Sequence, residues 1–140
     1  MSDLPSYLLT ASAAIPLLLG LLHLVYTFNG SKLLPRDAEL QERMSLASPV
    51  ITRQTTMWKA WIGFNASHSF GAILFGLVYG YLALVHPAFL FESYFLLVVG
   101  LTLLVGYAFL GVRYWFSAPF RGILLSLVLY ASGVLLRFMS

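Results

Sequence analysis

Four apolar runs, each close to the length that a bilayer demands, take up most of this chain. A membrane-spanning helix needs about 20 apolar residues, and such runs can be read at 6–28, 60–85, 93–114 and 120–138. Soluble domains carry about 25% charged residues. Here only 9% of 140 residues are charged and 60% are hydrophobic, with a mean hydropathy of +0.88. Too few polar side chains remain to cover a globule, so lipid must cover it. The expected fold is all-α: an integral membrane, up-and-down four-helix bundle forming a single transmembrane domain over residues 1–140.

Turn-forming residues separate the runs: Asn29-Gly30-Ser31, His86-Pro87 and Ser117-Ala118-Pro119. Short second and third connections force neighbouring helices to run antiparallel. Pro16 lies inside the first run, where its missing N–H should kink the helix and free the carbonyl of Ser12. The first run is read as a span and not as a cleavable signal peptide, because it lacks a basic leader and a small-residue cleavage site. The first connection is longer. Pro35-Arg36-Asp37 reads as the start of a short amphipathic helix with Leu40 and Met44 on one face and a Glu39–Arg43 pair one turn apart, lying at the membrane surface. Ser48-Pro49 reads as an N-cap followed by proline at the first helical position, so the second long helix is expected to begin there and to enter the membrane near Trp58.

Lys32, Arg36, Arg43, Arg53, Lys59, Arg113 and Arg121 fall on the first and third connections, and only Arg137 falls opposite. Seven cations against one make those connections cytoplasmic and both termini external, in a multi-pass protein of the inner membrane. Trp58, Trp61, Tyr114 and Trp115 supply aromatic residues at the inner interface. The net charge of +3 follows topology instead of forming a patch, which argues against a nucleic-acid partner. The absence of cysteine removes disulfides, thiolate catalysis and cysteine metal sites.

The residues that break the apolar pattern are His23, Asn65 and His68. Polar groups at membrane depth need partners, so intramembrane His and Asn are where function is sought first. Trp58, Trp61, Asn65, His68, Ala72, Phe75, Tyr79 and Leu82 recur by three and four, which places them on one stripe turned into the bundle. At about 1.5 Å of rise per residue, His23 and Asn65 each lie roughly 8–9 Å below the inner boundary, with His68 one turn deeper. Tyr107 reaches a similar level, and Arg113 and Arg121 stand at the mouth. The adjoining face carries Gly63, Ser67 and Gly71, and Gly76 and Gly80 form a second small-residue run; both allow close approach of a neighbouring helix. His86 is read as a solvated helix end.

The stretch His23-Leu24-Val25-Tyr26-Thr27, with Trp61-Ile62-Gly63-Phe64-Asn65-Ala66-Ser67-His68, resembles a family of small bacterial four-helix membrane proteins to which no activity is assigned. The resemblance spans nearly the whole chain and implies a bacterial origin and a four-helix fold, but no chemistry. A looser similarity to the DoxX-like proteins rests on hydropathy alone.

Absences narrow the chemistry. Asp3, Asp37, Glu39, Glu42 and Glu92 all lie at or outside the interfaces, which excludes a carboxylate-bridged di-metal site and disfavours ion coupling through a buried acid. Ser67-His68-Ser69 lacks an acid to orient the imidazole, so a hydrolase is rejected. The charged second-helix signature of the glutathione-transferring membrane enzymes is missing as well. Three readings stay open. In one, a small lipophile with a polar head (a quinone, an isoprenoid or a lipid) sits among Trp58, Trp61, Phe64, Phe75 and Tyr107 and is oriented by His23, Asn65 and His68. In another, the chain is an accessory subunit of a larger membrane complex or a homo-oligomer, and its polar residues tie helices together. In the third, His23 and His68 ligate a b-type haem whose propionates meet Lys59, Arg113 and Arg121. No catalytic residue can be assigned.

Overall fold

A computed structural model describes residues 4–139. These residues form six helices: α1 (Leu4–Phe28), α2 (Ala38–Leu46), α3 (Met57–Val85), α4 (Pro87–Glu92), α5 (Tyr94–Tyr114) and α6 (Ser117–Met139). Four of them, α1, α3, α5 and α6, are long and apolar enough to cross a membrane. The chain is a multi-pass integral membrane protein. It divides into two compact units, one of residues 4–19 and 72–139 and the other of Gly20–Gly71. The division falls inside α1 after Leu19 and inside α3 after Gly71.

The first unit is an up-and-down bundle of four helices, and its neighbours can be read from what a Cβ at each glycine would meet. On α6, Gly133 faces Leu9 and Pro5, and Gly122 faces Leu19 and Ile15, so α1 and α6 run antiparallel. On α3, Gly76 faces Leu17 and Ala13, and Gly80 faces Ala13 again. Tyr79 reaches α5, where its hydroxyl donates to the Leu96 carbonyl at 2.7 Å. Tyr130 on α6 donates to the next carbonyl, that of Leu97, at 3.0 Å. The ring therefore closes in the order α1, α3, α5, α6. A core of Leu9, Ala13, Phe75, Tyr79, Leu97, Leu104 and Tyr130 fills it, and Phe75 stacks on Tyr79 with centroids 4.6 Å apart.

Buried tyrosines need a partner for the hydroxyl, and α5 supplies two from its first turn. Gly100 makes room for them: a Cβ there would sit 2.5 Å from Tyr130 Oη and 2.7 Å from Tyr79 Cε1. Gly100→Ala is therefore expected to displace both rings and to cost about 1–3 kcal/mol, the usual range for overpacking. Denaturant titration of the detergent-solubilised protein checks this.

Pro16 is fully buried, and α1 continues through it. The Ser12 carbonyl that it orphans accepts from Ser126 Oγ of α6 at 2.8 Å, and Ser12 Oγ donates in return to the Ser126 carbonyl at 2.7 Å.

The second unit holds the last turns of α1, the long connection with α2, and the start of α3. The Asp37 side chain caps α2 by accepting from Glu39 N–H at 3.0 Å, and Arg43 pairs with Glu39. None of α2 is buried. The expected start of α3 at Ser48-Pro49 is not observed; the helix begins at Met57. Residues 50–56 are rich in Val, Ile and Thr, whose branched side chains disfavour helix. Thr56 is the cap instead, its Oγ1 accepting from Lys59 N–H at 3.3 Å. The connection read as the turn His86-Pro87 also holds a helix, α4, which inserts Leu90 and Phe91 into the core of the first unit.

Candidate functional site

His23, Asn65 and His68 all lie in the second unit, and the structure brings them together. His23 sits on the last turns of α1, where Thr27 Oγ1 donates to its carbonyl at 2.7 Å. Asn65 and His68 lie one turn apart on α3, and Ser69 Oγ donates to the Asn65 carbonyl at 3.0 Å. His23 Nε2 and Asn65 Oδ1 are 3.0 Å apart. The His23 and His68 rings meet edge to face, with centroids 5.4 Å apart and planes at 86°.

The protonation of this pair follows from its neighbours. Asn65 Nδ2 donates to the Trp61 carbonyl at 2.8 Å. A carbonyl can only accept, so the NH2 of the carboxamide must face Trp61 and its oxygen must face His23. His23 Nε2 therefore carries a proton and donates it to Asn65 Oδ1. In the neutral ring Nδ1 is then the acceptor. Asn65 thus selects one tautomer of His23 and fixes its ring plane. Both imidazoles are only half-buried.

The aromatic residues divide differently from the expectation. Trp58 is half-buried in the first turn of α3. Trp61 is 41% exposed and its indole N–H donates to the Leu33 carbonyl at 3.2 Å, which ties the connection after α1 to α3. Phe64 is 76% exposed. Chain topology gave no signal for the Leu33 bond, because a loop carbonyl carries no side-chain signature.

Compared with known proteins, the chain matches no family model, no curated protein and no solved structure.

The remaining expected site residues belong to the first unit. Tyr107 is buried there with Ala72 and Ile123, its ring 5.9 Å from that of Trp115. Arg113 and Arg121 are exposed at the two ends of the connection between α5 and α6. Phe75 is a core residue stacked on Tyr79. His86 ends α3 as expected and is exposed, its Nε2 3.2 Å from the hydroxyl of Tyr81. Of the two small-residue runs, the one at Gly76 is used for close helix approach, whereas a Cβ at Gly63 would meet nothing within 4 Å. Among the described residues no three of His, Cys, Asp or Glu gather as a protein-held metal ion would need.

The arrangement offers one hydrogen-bond acceptor of fixed tautomer, a second imidazole beside it, and indoles within two turns along α3. It can orient a polar head and hold it against an apolar body. A neutral imidazole can also exchange a proton with such a head.

Proposed function

We propose that this chain is a multi-pass protein of the bacterial cytoplasmic membrane, with both termini outside. It binds a small lipophile with a polar head, such as a quinone, an isoprenoid or a lipid, at His23, Asn65 and His68. The observation that carries this reading is the Asn65–His23 bond at 3.0 Å beside an imidazole edge that is only half-buried. A pair serving only to tie α1 to α3 has no need of a second, partly open histidine. Trp58 and Trp61 supply amphipathic walls near the interface, a lining common in ligand sites. The tautomer of His23 favours a head that donates a hydrogen bond, such as a hydroxyl.

The accessory-subunit or homo-oligomer reading is second. One observation favours it: Gly63, Ser67 and Phe64 are exposed on α3, with nothing near a Cβ at Gly63. A bis-histidine haem is supported least. His23 Nε2 donates to Asn65, so only Nδ1 of that ring keeps a lone pair for iron.

Native mass spectrometry of gently solubilised protein tests the proposal. The wild type is expected to carry a lipophilic adduct that Asn65→Leu loses, while circular dichroism stays helical. An empty wild type, or an adduct retained equally by the variant, contradicts it. An empty protein that co-purifies with a larger complex would replace it with the accessory reading. A Soret band lost in both His23→Ala and His68→Ala would replace it with haem.

A further inference from the structure

The segment between α2 and α3 is built as a finger with an apolar tip. Its base is closed by Met57 N–H donating to the Ala47 carbonyl at 2.8 Å. Its tip is a turn closed by Thr52 N–H on the Pro49 carbonyl at 3.2 Å, which puts Val50 and Ile51 at the two central positions. Thr52 Oγ1 then accepts from Gln54 N–H at 3.1 Å and holds the returning strand of the finger. Central turn positions favour Gly, Pro, Asn, Asp and Ser, and branched aliphatic side chains run against that preference. They are also the most exposed apolar residues of the described chain, at 108% for Val50 and 92% for Ile51. Arg53, two residues after Ile51, is the only charged residue of the finger. The rest of the finger is largely Ser, Thr and Gln.

We propose that this finger inserts its Val50-Ile51 tip into the headgroup–acyl boundary of the adjacent leaflet, and that Arg53 there engages anionic phospholipid. The inference rests on the chain being a membrane protein and is independent of the ligand reading. The finger belongs to the connection between two spans, α1 ending at Phe28 and α3 beginning at Met57, and it leads directly into α3, so a bilayer surface lies within its reach. Charge is complementary: the region from Asn29 to Lys59 carries five cations against three carboxylates. Among these, Arg43 is taken up by Glu39 and Asp37 by its cap. Size decides between lipid and protein. A stable protein interface buries about 800 Å² on each partner, which two aliphatic side chains cannot supply, whereas interfacial anchoring asks only for a small apolar surface beside a cation.

The chain contains no cysteine, so Val50→Cys and Ile51→Cys each place a single environment-sensitive fluorophore on the full-length protein. Phe109→Cys, on an exposed position within α5, serves as the lipid-facing reference. The labelled proteins are compared in nanodiscs of phosphatidylcholine and of phosphatidylcholine with phosphatidylglycerol. The proposal expects quenching by brominated lipid and loss of iodide quenching at both tip positions, stronger with phosphatidylglycerol. Arg53→Glu should restore iodide access. Iodide quenching without lipid quenching overturns the proposal. Protection from both quenchers overturns it too, because a protein surface then covers the tip. Equal lipid quenching in the two membranes overturns the role of anionic lipid.

Discussion

Gly76→Ala is expected to destabilise the protein by about 1–3 kcal/mol or more, at the upper end of what overpacking costs. The added Cβ would stand against Leu17 Cβ, 2.8 Å from the Ala13 carbonyl oxygen and 2.9 Å from Leu17 Cα. None of these atoms can swing away by a change of rotamer, because two belong to the backbone of α1 and the third is attached to it. The helices must separate. Separation loosens the neighbouring contact of Ala13 with Gly80, where a Cβ would lie at an ordinary 3.8 Å. Gly63→Ala is the control on the same helix. Nothing lies within 4 Å of its Cβ, so this variant should be neutral, or stabilised by up to about 1 kcal/mol through alanine's better helix propensity. Parallel unfolding titrations in one detergent compare the two.

Ser126→Ala is the second large effect, and its size depends on a residue that it does not touch. Hydrogen bonds between membrane helices contribute about 0.6 kcal/mol on average. The Ser126 hydroxyl should exceed that, because the Ser12 carbonyl that it serves has lost its own helical donor at Pro16. Both serines are fully buried, so no water replaces the lost hydroxyl, and an orphaned carbonyl costs about 1–3 kcal/mol. Ser12→Ala should cost less, since the Ser126 carbonyl keeps the N–H that a regular helix gives it. In a Pro16→Ala background the Ser12 carbonyl regains a donor, and Ser126→Ala should become nearly neutral. A double-mutant cycle measures this coupling. Additive costs would contradict the account.

The long helices were legible because each apolar run is as long as a bilayer is thick, and, the start of α3 apart, their ends fall within a few residues of the expected ones. The meeting of His23 with Asn65 was legible for a related reason: depth along two antiparallel neighbours is plain arithmetic on helical rise. What the pattern missed depends on the third dimension or on local competition. Pro16 announced an orphaned carbonyl, but no periodicity singles out Ser126 as the donor. Trp61 lies on the polar stripe by spacing, yet its indole is drawn to a loop carbonyl at Leu33. Ser48-Pro49 has the composition of a helix start, and the β-branched residues after it move that start to Thr56-Met57. Phe64 sits one residue before Asn65, a step of about 100° around the helix, which is enough to leave it exposed while Asn65 meets His23.

The proton on His23 is the most direct test of the site. Nitrogen spectra of 15N-histidine-labelled protein in bilayers distinguish a protonated Nε2 from a protonated Nδ1. Neutral His23 is expected to carry its proton on Nε2 in the wild type, and Asn65→Leu to release it to a mixture of tautomers. A proton on Nδ1, or a His23 signal indifferent to Asn65→Leu, would contradict it.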